Sequence, residues 1–201
     1  MGSKDHQPVL VKEVLAGLAI KPNGKYLDLT FGRGGHSALM LQALGSDGRL
    51  IAVDKDPAAV QAAIHKPFND TRFSIYHSSF EDIDKIAAKC DWVGKVDGIL
   101  LDLGVSSPQL DEASRGFSFM REGPLDMRMN PDQGIDAASW LNQASAEEIA
   151  TVLWRYGEEK SSRKIAAAIV ANREQQKLVT TTQLVDVITS VCKRQGKGKH
   201  P

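Results

Sequence analysis

Residues 25–54 read KYLDLTFGRGGHSALMLQALGSDGRLIAVD, and their pattern decides the fold class. Tyr26, Leu27 and Leu29 are apolar, and Thr30 and Phe31 have high strand propensity, so a buried strand is predicted to end near Thr30. Gly32-Arg33-Gly34-Gly35 follows; three glycines in four residues permit left-handed backbone and let a ligand approach with no Cβ in the way. His36 to Leu44 predicts a helix, with Leu39, Met40, Ala43 and Leu44 at helical spacing, and Gly45 and Gly48 stop it. Arg49 to Val53 is a second short apolar strand with Asp54 at its C-terminal end. Strand, tight turn, helix and strand together predict an α/β fold with an open parallel sheet.

In such a sheet, ligands bind beyond the carboxyl ends of the strands, and an acid after the second strand can accept both ribose hydroxyls. Asp54 lies twenty residues after Gly34, which suits that role. The free N–H groups at the helix start attract a negative group. That group is either a dinucleotide pyrophosphate or the carboxylate of S-adenosylmethionine. The dinucleotide fingerprint requires a third glycine or alanine where this chain has Ser37. Asp28, four residues before Gly32, instead offers an acid to the amino group of a methionine moiety. The residues favour the methyl donor; the plain alternative is a structural turn without a ligand.

Upstream, Val11, Val14, Leu15 and Leu18 predict an amphipathic helix over Pro8–Leu18, and Pro22-Asn23-Gly24 turns the chain into the first strand. Downstream, Pro57 suits the first turn of a helix that runs to His65. Arg72 to Tyr76 alternates as a third strand, and Phe80 just after it is placed either to flank an adenine ring or to sit in the core. Ile83 to Cys90 is a short helix, and Val96 to Leu101 a fourth strand with Gly98 inside it. Asp102 leaves that strand at the same sheet edge as Gly34 and Asp54.

Charge balances at 25 basic and 25 acidic side chains, but not locally. Residues 1–150 carry a net −6 and residues 151–201 a net +6. A basic C-terminal segment can meet phosphates, or simply be a solvated helical face. The two cysteines, Cys90 and Cys192, have no metal-ligand spacing, no metal site is expected, and reduced thiols suit a cytoplasmic protein. No apolar run approaches a membrane span, and MGSKDHQ is not a signal peptide.

TFGRGGHS at 30–37, DLGVSSPQLD at 102–111 and RGFSFMREGPLDMRM at 115–129, in this order, resemble the bacterial ribosomal RNA small subunit methyltransferase H family. The resemblance covers roughly His6 to Pro201. It implies a class I S-adenosylmethionine-dependent methyltransferase with a Rossmann-like parallel sheet and an inserted helical domain. The activity implied is methylation of N4 of a cytidine in 16S rRNA, with 16S rRNA or the small ribosomal subunit as partner. Carried over position by position, the family's cofactor contacts fall on Gly34, Gly35, His36, Asp54, Phe80, Asp102 and Gln109. His36 and Gln109 rest on the resemblance alone.

An exocyclic amine is a poor nucleophile because its lone pair is delocalised into the ring, and an acceptor for its N–H raises the electron density on nitrogen. Asp102 is placed to be that acceptor or to hold the cofactor; a strand-end capping Asp is the plain alternative. Some amino-methyltransferases carry Pro-Pro-aromatic after the acid. Here Leu103-Gly104-Val105 stands instead, so that geometry does not transfer.

Residues 1–109 are thus read as the cofactor domain and 110–201 as a helical insertion for substrate recognition. Ser114 to Asn130 has no clear period, and its Arg115, Arg121 and Arg128 interleave with Phe117 and Phe119. That mixture suits stacking on an unpaired base, or the aromatics seat the loop on the core. Ser145-Ala-Glu-Glu148 and Thr180-Thr-Thr-Gln183 are capping boxes, each followed by apolar residues at helical spacing, with a third helix starting at Ser161 or Ser162. Lys160, Arg163, Lys164 and Arg173 are candidates for an RNA-facing surface, ordinary exposed helix charges being the alternative. KRQGKGKHP at 193–201 reads as a flexible tail. By the resemblance, the family chain continues from here into further strands, one followed by a Ser-Phe-His-type segment, so this sequence is expected to be shortened. A cofactor- or RNA-binding fragment without turnover and a nicotinamide-binding oxidoreductase are the rival readings. The oligomeric state is left open, a homodimer included.

Overall fold

A computed structural model describes residues 10–64 and 67–192. The chain divides into two compact units, residues 1–104 and 105–201. The first holds helix α1 (Val11–Leu18), strand β1 (Lys25–Asp28), α2 (Gly35–Ala43), β2 (Arg49–Asp54), α3 (Pro57–Ala62), β3 (Phe73–His77), α4 (Ile83–Lys89) and β4 (Gly98–Leu100). All four strands are parallel, in the order β3-β2-β1-β4. The α/β class and the parallel sheet expected from residues 25–54 are therefore present. The expected helix boundaries at Pro8 and His65 lie outside the described residues.

Alternation along the strands sends side chains to opposite faces of the sheet, and here both faces are covered. Tyr26, Leu50, Ala52 and Leu100 point to the face packed by Met40, Leu41 and Leu44 from α2 and its end, Ala59 of α3, and Val14, Leu15 and Leu18 of α1. Leu27, Leu29, Ile51 and Val53 point to the other face, against Ile86 and Ala87 of α4 and Trp92. The glycine inside β4 has a packing reason: a Cβ on Gly98 would stand 2.9 Å from the Tyr26 ring and 3.1 Å from Leu18.

The strand order matters more than the strands themselves. β1 continues to β2 and then β3 on one side, whereas β4 pairs with β1 on the other. The strand order thus reverses at β1, and the carboxyl ends of the strands at such a reversal are where open α/β sheets bind ligands.

The second unit is helical: α5 (Ser107–Asp111), α6 (Ala137–Gln143), α7 (Ala146–Gly157), α8 (Ser162–Arg173) and α9 (Thr181–Val191). Both expected capping boxes form. The Ser145 N–H donates to Glu148 at 2.7 Å, and the Thr180 N–H to Gln183 at 3.1 Å. Ile149, Ile165, Ala166, Ile169 and Val187 from the last three helices bury against one another, with Leu125 and Leu141 completing the core. α5 and α6 were not anticipated. Each is short, and each is started by a polar cap: the Ser106–Gln109 box for α5, and for α6 the Asp136 carboxylate, which accepts the Ser139 N–H at 2.6 Å.

In the loop before α6 the three arginines have partners within the chain. Arg115 donates to the carbonyls of Arg128 and Met129 at 3.2 and 2.9 Å. Arg128 forks onto Asp126 at 2.9 and 2.7 Å, holding that carboxyl below its usual range, and Arg121 donates to the Asp111 carbonyl. These guanidiniums tie the loop to itself, because irregular backbone leaves carbonyls that need donors. Arg173 is similarly engaged, donating to the carbonyls of Leu141 and Ala144 at 2.6 Å each, at the C-terminal end of α6.

Candidate active site at the carboxyl ends of the strands

The glycine-rich turn bends back on itself through Gly34 N–H donating to the Phe31 carbonyl at 2.7 Å. Gly32 and Gly34 both have left-handed backbone, with φ of 56° and 76°. Their roles differ. A Cβ on Gly34 would fall 2.3 Å from the Phe68 ring and 2.7 Å from Phe31, inside an aromatic cluster that Phe73 completes. Gly34 is therefore required by packing below the loop. At Gly32 the nearest atom is the Thr30 carbonyl oxygen at 4.0 Å, so the space a ligand would share is at Gly32. Gly35 opens α2.

Asp54, at the end of β2, accepts the Gly32 N–H on one oxygen at 2.7 Å and the Asp56 N–H on the other at 2.8 Å. It thus fixes the glycine-rich loop to the neighbouring strand end. A carboxylate has about four lone-pair sites, so each oxygen keeps acceptor capacity. Phe80 follows β3 on the same edge, opening a 3-10 turn over Phe80–Asp82. It is 44% exposed, so it is not a core aromatic.

Asp28 is only 1% exposed. It accepts the Ser37 hydroxyl at 2.6 Å and the Thr30 N–H at 3.1 Å. Burial pushes its carboxyl up, with the Ser37 and Thr30 hydrogen bonds opposing. Asp28, read from the sequence as an acid for the amino group of a methionine moiety, is a buried staple between β1 and the first turn of α2.

The two sides of the cleft are joined by Thr30. Its hydroxyl accepts the Asp102 N–H at 2.7 Å, linking the end of β1 to the end of β4. Seventy-two residues separate the pair, and no local spacing signalled it. The Asp102 carboxylate itself is 66% exposed, and His36 Nε2 stands 3.9 Å from it while its own side chain is 10% exposed. Gly34, Gly35, His36, Asp54 and Asp102 therefore gather around one sheet edge, with Phe80 after the adjoining strand. Gln109 lies in the second unit, 4% exposed, where its side-chain oxygen accepts the Ser106 N–H at 3.0 Å. The signal for that bond, Ser followed three residues later by Gln, is visible in the sequence.

This arrangement can hold a nucleoside-like group: open backbone at Gly32, a carboxylate at Asp54, an exposed aromatic at Phe80, and a solvent-facing acid at Asp102. No helix among the described residues is long and apolar enough to cross a membrane. Cys90 and Cys192 are free thiols.

Comparison with known proteins agrees with the fold. The ribosomal RNA small subunit methyltransferase H of Coxiella burnetii (strain Dugway 5J108-111) is 55% identical over 196 residues, 98% of this chain and 64% of the relative. The protein of the same name from Hydrogenovibrio crunogenus (strain DSM 25203 / XCL-2) is 54% identical over 200 residues, 100% of this chain and 63% of the relative. The chain thus spans a little under two thirds of the length of the curated relatives it matches. The model of the MraW methylase family matches residues 3–201. With a parallel α/β sheet, a glycine-rich turn after β1 and an acid after β4, the chain belongs to the MraW methylase family.

Proposed function

We propose that this chain carries the cofactor site and part of the substrate surface of an S-adenosylmethionine-dependent methyltransferase. Its substrate would be the N4 amine of a cytidine in 16S rRNA, reached in the cytoplasm on the RNA or on the small ribosomal subunit. The observation that supports this best is the exposed Asp102 carboxylate at the strand-order reversal, 3.9 Å from His36 and joined through its N–H to Thr30 beside the glycine-rich loop. The relatives' shared name, ribosomal RNA small subunit methyltransferase H, supports small-subunit ribosomal RNA as the substrate class.

The residues fit the cofactor. Gly32, Gly34 and Gly35 bring backbone to the methionine end, Asp54 accepts the ribose hydroxyls, and Phe80 flanks the adenine. S-adenosylmethionine, when bound, supplies an electrophilic methyl group on sulfur. Asp102 then accepts an N–H of the target amine, raising the electron density on nitrogen and taking the proton late. His36, at the start of α2 and 3.9 Å from the Asp102 carboxylate, is assigned to the cofactor by the family pattern. The target base must leave its stack to reach this acid. Gln109 is assigned to the cofactor by the family pattern, and residues 110–201 to substrate recognition.

Isothermal titration of the 201-residue chain with S-adenosylmethionine, S-adenosylhomocysteine and NAD tests the reading. The sulfur ligands are expected to bind and NAD not. Binding of NAD alone would replace the reading with an oxidoreductase. Cofactor binding without methyl transfer, beside transfer by a full-length relative, would make this chain a binding fragment.

A further inference from the structure

Within the second unit, a groove of about 870 Å³ lies between α7 and the start of α8. It is lined by Ala150 and Thr151, consecutive small side chains on α7. The next turn of that face carries Trp154, an indole that is 60% exposed and outside the helical core. The opposite rim is Lys160, Arg163 and Lys164, all exposed. Among the described residues none of the three makes a salt bridge. One acid, Glu147, also lines the groove, and the adjacent Glu159 is held by the Ser161 N–H at 2.6 Å.

An exposed indole is costly to leave in water without a partner, and small neighbours on its helix keep one side of it accessible. A flat aromatic surface flanked by unpaired cations suits one chemistry: a nucleic-acid base stacked on the ring, with its phosphates on the basic side chains. The indole carries no code for a particular base, and a base in a duplex is already stacked. The occupant that fits is therefore single-stranded.

We propose that the groove between α7 and α8 binds an unpaired stretch of RNA, with one base stacked on Trp154 and the flanking phosphates on Lys160, Arg163 and Lys164. This rests on the reading of the chain as acting on RNA, and it assigns to these residues a contact separate from the cofactor site.

The probe is a labelled twelve-nucleotide single-stranded RNA, titrated into the 201-residue chain at several salt concentrations and followed by anisotropy and tryptophan fluorescence. Trp92 is buried and Trp140 half-buried, so quenching by the oligonucleotide reports mainly on Trp154. Trp154→Ala is expected to weaken binding about tenfold and abolish the quenching, while Trp154→Phe restores much of the affinity. Replacing Lys160, Arg163 and Lys164 together by Gln is expected to lower the salt slope by about 2. Unchanged affinity in both variants, with RNA still bound, overturns the groove alone. So does equal binding of a duplex of the same length. Absence of any RNA binding overturns the groove too; S-adenosylmethionine binding in the same preparation would show that the cofactor reading survives it.

Discussion

Asp54 accepts the backbone N–H of Gly32 at 2.7 Å, across 22 residues of sequence. The acid proposed to hold a ribose is therefore also the clamp on the glycine-rich loop. Asp54→Ala is expected to reduce S-adenosylmethionine affinity by about 1–3 kcal/mol. It should also raise amide exchange at Gly32. Calorimetry and hydrogen exchange on the same variant check this; unchanged affinity with a loosened loop would leave Asp54 only its structural role.

Asp102 separates into two functions by atom. Its N–H bonds to Thr30, and its carboxylate faces solvent. Asp102→Ala keeps the first and removes the second. In a full-length relative the same change is expected to abolish methyl transfer to RNA while leaving the melting temperature near that of the parent. Near-normal turnover, measured by radiolabelled methyl incorporation, would remove Asp102 from the chemistry.

Gly34→Ala is expected to destabilise the first unit by about 2–3 kcal/mol, combining left-handed strain with a Cβ driven into Phe68. Phe68→Leu in the same chain should recover the steric part and not the backbone part. Denaturant melts of the two single variants and the double variant separate them. Additive losses would show that Phe68 is not what the new methyl meets.

Arg173 ties the end of α6 to α8 through two carbonyls. Arg173→Ala should therefore cost about 1–2 kcal/mol of stability. RNA affinity is expected to stay within twofold of the parent, in contrast to the Trp154 variants. A large loss of RNA binding in a chain that melts normally would return Arg173 to the RNA surface.

Arg72 grips Asp70 with its guanidinium and backbone N–H and donates to the Leu44 carbonyl at 2.6 Å. The Arg72 side chain holds the Asp70 carboxyl down to about 2, from an ordinary 3.8. A carboxyl depressed by folding stabilises fully above its unfolded value and loses that contribution as pH falls through the folded one. About 1 kcal/mol is expected to vanish between pH 4 and pH 2, after allowing for solvent screening. Asp70→Asn should flatten that segment of the stability profile. An unchanged acid limb would mean that Asp70 contributes nothing through its charge.

Much of this protein was legible in its residues because the signals are local. Alternating apolar residues in Arg49–Val53, the stop at Gly45, and the boxes at Ser145–Glu148 and Thr180–Gln183 each act within a few positions. The same kind of signal at Ser106–Gln109 marked α5, but Pro108 and the short span hid it. What tertiary structure alone decided is how distant segments share atoms. Strand order placed Asp102 beside Thr30 and His36, since parallel pairing joins β1 to both β2 and β4. Packing assigned Gly34 to Phe68 and left Gly32 to face outward. Backbone carbonyls claimed Arg115, Arg121 and Arg173, because carbonyls outside the regular ladders take donors from side chains and sequence spacing does not say which ones.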